Sequence, residues 1–343
     1  MSNVTITGIA KETNLSTATV SRVLSGSDYP VKLETRKKIM DAAEKVGYVP
    51  NMLARGLKTR HSNEIAVIVP YIHYPFFYSI VTGIETVLAK SAFNMSLHLT
   101  RSLNAPPDSL ASRLVGNMVA GVIITTDSMP QNFYNVLLGL NQKNGLPVIT
   151  MDYELKEYQF PGVYFDYFAG AKMALEYLFD KGHRQIAFAS CPITHETRKA
   201  RWAGVQDACK AWGHKTIDLF TDEVDYDYFN DFHVGASIAR KIIKNKKKYT
   251  AIAASNDTIA IGLMVELTKQ GIRVPEDISI IGFDDSSYSM MTIPALTTIR
   301  IPAVEMGEKA AHAVLDAINK KETPTDINLG PRVIERSSVK PLH

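Results

Sequence analysis

The chain has 343 residues, two cysteines and a formal net charge of +3, a length that suits a small domain plus two larger ones able to bury their own cores without disulfides. Cys191 and Cys209 show no metal-like spacing and read as inert, reduced thiols. No apolar run is long enough to span a bilayer, and no charged-then-apolar leader opens the sequence, so membrane insertion and export are excluded and a soluble, cytoplasmic protein is expected.

Residues 5–25 predict two short helices meeting at a sharp corner. Thr5 can cap the first, whose Ile6, Ile9 and Ala10 share an apolar face, and Asn14 stands at the corner, where the left-handed conformation is wanted. Ser16 can cap the second, in which Val20, Val23 and Leu24 fall at i, i+3 and i+4. Thr17, Ala18, Ser21, Arg22 and Ser25 project from the other face, with Ser16 and Thr19 in the first turn. An ordinary helical hairpin shares this periodicity with a helix-turn-helix carrying a major-groove recognition helix.

The surroundings favour the second. A helix over residues 31–49, with Ile39, Ala42, Ala43 and Val46 inside and Lys32, Arg36, Lys37, Lys38 and Lys45 outside, completes a three-helix headpiece over 1–46. Residues 1–62 carry ten Lys+Arg against five Asp+Glu, whereas the other 281 carry 28 against 30. Positive charge is thus concentrated at the end that would meet phosphate. A segment over 47–62 follows, in which 51–58 could form a helix capped by Asn51, too short to persist alone; a plain basic linker is the other reading.

From Glu64 onward, strands and helices alternate. Short apolar runs at 65–69, 93–99, 122–125 and 148–151, separated by helical segments near 80–90, 109–118 and 133–141, predict a parallel α/β lobe. A second set has strands at 163–166, 186–190, 217–220, 251–254 and 278–283 and helices at 169–180, 198–212, 234–244 and 258–270. A strand at 296–300, a helix at 303–319 and a strand at 332–336 close the chain. Two similar halves imply a cleft, and ligands of open α/β sheets bind beyond the carboxyl ends of the strands, where Thr125, Asp152, Asn256 and Asp284 stand. A turn or helix cap is the other role open to each of them.

Catalytic signatures are missing. The sequence has no GxGxxG loop, no GK[ST] loop and no GxSxG elbow; His195-Glu196 begins an HExxH, but Lys199 occupies the second histidine position. Four lysines in 244–248 read as a solvated helix end. No enzyme and no cofactor are expected.

Several motifs together resemble the lactose/galactose repressor (LacI/GalR) family of bacterial transcription regulators. They are S-T-A-T-V-S-R-V-L at 16–24, G-Y-V-P-N at 47–51, A-R-G-L at 54–57, K-G-H-R-Q-I-A-F at 181–188, S-N-D at 255–257, G-I-R-V-P-E-D-I-S-I-I-G-F-D-D at 271–285 and P-A-L-T-T-I at 294–299. The resemblance implies an all-α helix-turn-helix headpiece, a hinge over 47–62, and an α/β core like periplasmic sugar-binding proteins, built of two parallel-sheet lobes. The lobes are expected at 63–161 with 294–326 and at 162–293 with 327–343. It also implies a hinge helix that orders on DNA through Asn51, Ala54, Leu57 and Lys58, with Leu57 entering the minor groove, and an effector pocket formed by Arg201, Asn256 and Asp284 with aromatic walls from Phe76, Phe77 and Phe229. The expected function is a repressor of carbohydrate-utilisation genes that binds pseudopalindromic operator DNA as a homodimer and answers to a sugar or sugar phosphate. A sugar receptor without DNA function is the alternative.

Two departures stand out. Relatives commonly read P-D-x-x-N-P-F-F where residues 70–77 read P-Y-I-H-Y-P-F-F, so Tyr71 and Tyr74 replace an acid and an amide. Gly8 replaces an acidic helix former, which should loosen the first helix by up to about 1 kcal/mol relative to alanine. The C-terminal seven residues, S-S-V-K-P-L-H, show no leucine heptad, which points to a dimer rather than a tetramer.

Overall fold

The computed structural model describes residues 5–24, 30–48, 62–100, 107–125, 131–152, 158–214, 216–222, 230–245, 248–319 and 324–342. The chain divides into two compact units, one within residues 1–63 with Val115–Val119 and the other comprising the remainder.

The first unit holds α1 (Ile6–Thr13), α2 (Thr17–Leu24) and α3 (Leu33–Lys45). Helices of eight residues are too short to stand alone, so caps and packing hold them. Thr5 Oγ1 accepts from the Gly8 amide at 3.2 Å, and Asn14 closes α1 in the left-handed conformation at φ 55°. Ser16 Oγ accepts from the Thr19 amide at 3.0 Å. Ile9, Ala10, Val20, Val23, Ile39, Ala42 and Ala43 form one core, and Lys45 reaches Glu12 at 2.9 Å across it. The corner, both caps and the buried faces are those the sequence predicts; α3 ends four residues short of the expected bound.

The second unit contains β1 (Glu64–Val69), α4 (Pro75–Leu88), β2 (Asn94–Leu99), α5 (Pro107–Gly116), β3 (Gly121–Ile124), α6 (Gln131–Asn144), β4 (Val148–Met151) and β5 (Gly162–Phe165). These are followed by α7 (Tyr167–Asp180), β6 (Ile186–Ser190), α8 (Glu196–Ala211), β7 (Asp218–Thr221), α9 (Asn230–Lys244), β8 (Ala251–Ala254), α10 (Asp257–Lys269) and β9 (Ser279–Asp284). The chain ends with β10 (Thr297–Arg300), α11 (Ala303–Ile318), β11 (Ile327–Leu329) and β12 (Arg332–Ile334).

Two sheets result, ordered β11-β5-β4-β3-β1-β2 and β12-β10-β9-β8-β6-β7, parallel except for the β10–β12 pair. Most inner strands, β3 and β8 among them, are short, fully buried apolar runs, as a sheet covered on both faces requires. In both sheets the strand order reverses beside the first strand, between β1 and β3 and between β6 and β8. Such switch points open a crevice at the carboxyl ends.

The expected lobe bounds need correction at three strands. β5, expected in the second lobe, pairs with β4, so the first crossover follows residue 165; β10, expected in the first lobe, pairs with β9; and β11, expected in the second, lies beside β5 in the first sheet. Hydrophobic periodicity reports that a strand is buried, not which sheet buries it. Helix α11 returns to the first lobe as expected, packed on α4, β3 and β4.

Three helix pairs cross at glycines so closely that a side chain would strike backbone. A Cβ on Gly307 in α11 would stand 2.2 Å from the Ile80 carbonyl of α4, and one on Gly204 in α8 would stand 2.1 Å from that of Phe168 in α7. Gly262 of α10 meets Phe232 of α9 in the same way. By contrast, a Cβ on Gly8 would find only Thr5 Oγ1, at 3.7 Å. Two identical substitutions should therefore act in opposite directions. Gly307→Ala should lower core stability by about 1–3 kcal/mol or more through overpacking, whereas Gly8→Ala should stabilise the headpiece by about 0.5–1 kcal/mol. Denaturant unfolding of the core and amide exchange in α1 are the measurements, and equal signs would contradict the assignment.

Candidate functional site

Two surfaces carry candidate residues. On the first, α2 buries Val20 and Val23, so that Thr17, Ala18 and Arg22 are exposed and Ser21 half-buried on the opposite side. Ser16 and Thr19 are engaged with each other: their hydroxyls lie 2.8 Å apart, and the Thr19 amide donates to Ser16. Both act as cap as well as candidate contact. Ser25, Asn51, Ala54, Leu57 and Lys58 lie outside the described residues, as does Phe229 of the predicted pocket.

The second surface is where the carboxyl ends of the two sheets meet. Tyr74, which precedes α4 in the first lobe, donates its phenol proton to Asp284 Oδ2 at the end of β9 in the second lobe, at 2.8 Å. Arg201 Nη2 of α8 lies 3.6 Å from Asp284 Oδ1, and its guanidinium carbon packs over the Tyr167 and Phe283 rings, 4.5 and 4.6 Å from their centroids, the two rings themselves being stacked 6.2 Å apart. Tyr167 in turn hydrogen-bonds to Asp152 at the end of β4. Of the eight predicted pocket residues, Asp152, Arg201 and Asp284 are thus brought into one network.

The others have divided roles. Asn256 caps α10, its Oδ1 accepting from the Ile259 amide at 2.8 Å, while its Nδ2 donates to Asp231 Oδ2 at 2.7 Å. Phe76 is buried in the core; Phe77 is half-buried, packed edge-on against Tyr71 at 5.1 Å. The Thr125 hydroxyl just beyond β3 is buried without a partner among the described residues, and so is that of Ser190, at the end of β6. A buried hydroxyl left unpaired costs about 1–3 kcal/mol, so a polar ligand here meets groups with unspent hydrogen-bonding capacity.

Electrostatics set the site's character. Burial, with the nearby charges of Asp231 and Asp152, pushes the Asp284 carboxyl up, against the lowering effects of Arg201 and the Tyr74 hydrogen bond. Asp257 is raised by burial and then by the charge of Asp284, although its oxygens accept from the Ser286 amide at 2.7 Å and the Thr298 hydroxyl at 2.6 Å. Tyr74 is held far above the usual phenol range by burial and then by Asp284, which keeps it a donor. Backbone strain marks the same residues: Asp152 has φ 71° and Asp284 φ 120°, each costing about 1–3 kcal/mol. Among the described residues, no group of His, Cys, Asp or Glu is arranged to hold a metal ion.

Sequence reasoning missed Tyr167, Ser190, Asp231, Asp257 and Phe283. Ser190 ends an apolar strand just as Thr125 follows one, and the same rule finds it. Asp231 has no such signal: it opens α9 and joins the network through Asn256 and the Cys191 thiol, which donates to it at 3.2 Å.

Comparison with known proteins gives a consistent result. Residues 5–51 match the model described as bacterial regulatory proteins, lacI family, and residues 175–339 match a periplasmic binding protein-like domain. Catabolite control protein A of Priestia megaterium is 32% identical, covering 98% of this chain and all of that protein. A LacI family transcriptional regulator from Enterococcus faecium, solved with bound ribose, is 30% identical over 82% of this chain and all of its own, with a TM-score of 0.71. The lac repressor dimer bound to operator and an anti-inducer shares the fold, with a TM-score of 0.81 at 24% identity over 98% of this chain and 99% of that one.

The raised carboxyls make stability depend on pH. Groups whose folded values lie above their unfolded ones contribute stability that is complete below the unfolded value and lost as pH rises through the folded one. The contribution of the two carboxyls should therefore fall between pH 5 and pH 8, against an opposite contribution from His98 and His183, which burial lowers, so the stability of wild type relative to Asp257→Asn should fall across the interval. A difference between wild type and variant that is flat or rises over this interval would contradict the electrostatics described.

Proposed function

The chain belongs to the LacI/GalR family of bacterial transcription regulators, and from that premise we propose that it represses carbohydrate-utilisation genes as a cytoplasmic homodimer released from, or recruited to, its operator by a neutral sugar. It is a DNA-binding regulator under small-molecule control, not an enzyme. The observation that carries the reading is the capped corner of α1 and α2, which presents Thr17, Ala18, Ser21 and Arg22 over a buried Val20–Val23 seam, a surface suited to a major groove. Ser16 and Thr19 flank it; the family resemblance assigns further DNA contacts to Ser25, Asn51, Ala54, Leu57 and Lys58, with Leu57 as the minor-groove wedge.

Several features support a carbohydrate as the effector. The relative from Enterococcus faecium holds ribose, and another, CelR, 25% identical with a TM-score of 0.70, was solved with cellobiose. Arg201, Asn256, Asp152, Thr125 and Asp284 offer the acceptors and donors that sugar recognition needs, Phe77 and Tyr71 around Tyr74 offer apolar faces, and the family resemblance assigns Phe76 and Phe229 to the same wall. Negative charge gathers at Asp284, whose carboxyl burial and the nearby charges of Asp231 and Asp152 raise beside Arg201. That charge favours a neutral sugar over its phosphate ester. A dimer agrees with the lac repressor relative and with the run Tyr288, Met290, Met291 and Ile293, exposed by 50, 63, 70 and 96% respectively. Two-fold symmetry then calls for a pseudopalindromic operator.

Fluorescence anisotropy with genomic fragments, with and without a panel of sugars and sugar phosphates, tests the whole reading; failure to bind any fragment specifically would leave the sugar-receptor alternative. Arg22 is the long donor on the exposed face, so Arg22→Ala should cost about 1–3 kcal/mol per half-site and relax preference at one base position. Lys58→Ala should instead weaken all sequences alike and reduce the salt slope. Asp284→Ala should abolish the effector's influence on operator binding. Equal losses on specific and random DNA for Arg22→Ala would remove that residue from the base edge.

A further inference from the structure

The Tyr74–Asp284 hydrogen bond joins residues 210 positions apart, from opposite lobes. Asp284 is the buried carboxylate that a ligand hydroxyl would address, yet Oδ2 already accepts from a phenol supplied by the chain, while Arg201, 3.6 Å from Oδ1, keeps its Nε unpartnered among the described residues. Tyr74 is itself braced by aromatic neighbours, with Tyr71 6.2 Å away edge-on and Phe77 6.1 Å away. Its ring position is therefore set by the first lobe, and its hydroxyl projects beyond that lobe to reach the second.

We propose that Tyr74 is a built-in stand-in for the effector: its phenol ties the two lobes together through Asp284 until a ligand hydroxyl takes its place. The inference rests on the reading of this site as the effector pocket and adds a residue that sets ligand affinity by competition. Two consequences follow. The ligand-free core has a defined lobe arrangement fixed by the chain itself rather than a loose cleft. An incoming ligand must displace a hydrogen bond to a carboxylate, so its apparent affinity is lowered by the stability of that bond.

The test compares full-length protein with Tyr74→Phe, which keeps the ring and removes only the hydroxyl, and with Tyr74→Asn, which removes both. Without ligand, hydrogen exchange followed by mass spectrometry should accelerate about tenfold in the segment 284–290 of the second lobe as well as in 70–80 of the first, the size expected for losing one bond to a charged group. A merely local role would move only 70–80, and unchanged exchange at 284–290 in a cooperatively folded Tyr74→Phe would overturn the proposal. Calorimetry with ribose and with cellobiose supplies the second arm. Tyr74→Phe should bind whichever of these the wild type binds about tenfold or more tightly than wild type does. Weaker binding would make Tyr74 a ligand contact and also overturn it. If neither sugar binds either protein while exchange at 284–290 still accelerates, the carbohydrate reading fails and the tie between lobes stands.

Discussion

A carboxylate buried between two lobes must be partnered, and much of the core's organisation follows from how Asp284 meets that demand. Transfer of an unpaired carboxylate from water to a protein interior is prohibitive. Here the demand is met from three elements at once: Tyr74 from the first lobe, Arg201 from α8, and the rings of Tyr167 and Phe283 that hold the guanidinium in place. Arg201 packs over both rings at once, so its fork keeps an orientation that a lysine could not reproduce. The partners come from both lobes, and the same charge that organises the pocket also couples the halves.

Sequence alone made most of the architecture legible, because most strands are short apolar runs and most helices amphipathic. The headpiece was legible in more detail, since its signals are local: Thr5, Asn14 and Ser16 cap or turn the chain within four residues of the groups they serve. What could not be read was partner choice. β5, β10 and β11 were assigned to the wrong sheets because a buried strand carries no label for its neighbour, and the three-residue β11, only half-buried, gave no signal of its own.

The pocket divides along the same line. Asp152 and Asp284 were visible as polar residues closing apolar strands, and both take up positive φ there. Tyr74 was visible only as a departure from the pattern of its relatives. Its partner lies 210 residues away, and no periodicity connects the two. Asn256 shows a further limit: a strand-end amide can cap a helix and enter a polar network at once, so the two roles were never exclusive.

The way a ligand's effect can spread follows from which parts of the core are able to yield. The glycine crossings of α4 with α11, α7 with α8, and α9 with α10 put backbone against backbone, leaving no slack for the helices of one lobe to slide. Each lobe must then respond as a body, and movement is confined to the places where the chain passes between sheets. Those passages are short: residue 166 between β5 and α7, residues 301–302 between β10 and α11, and residues 330–331 between β11 and β12. Rigid bodies joined by a few element-terminal residues move by hinge rotation. A change of a few ångströms at Asp284 is therefore not absorbed locally; it becomes a change in the angle between the two lobes.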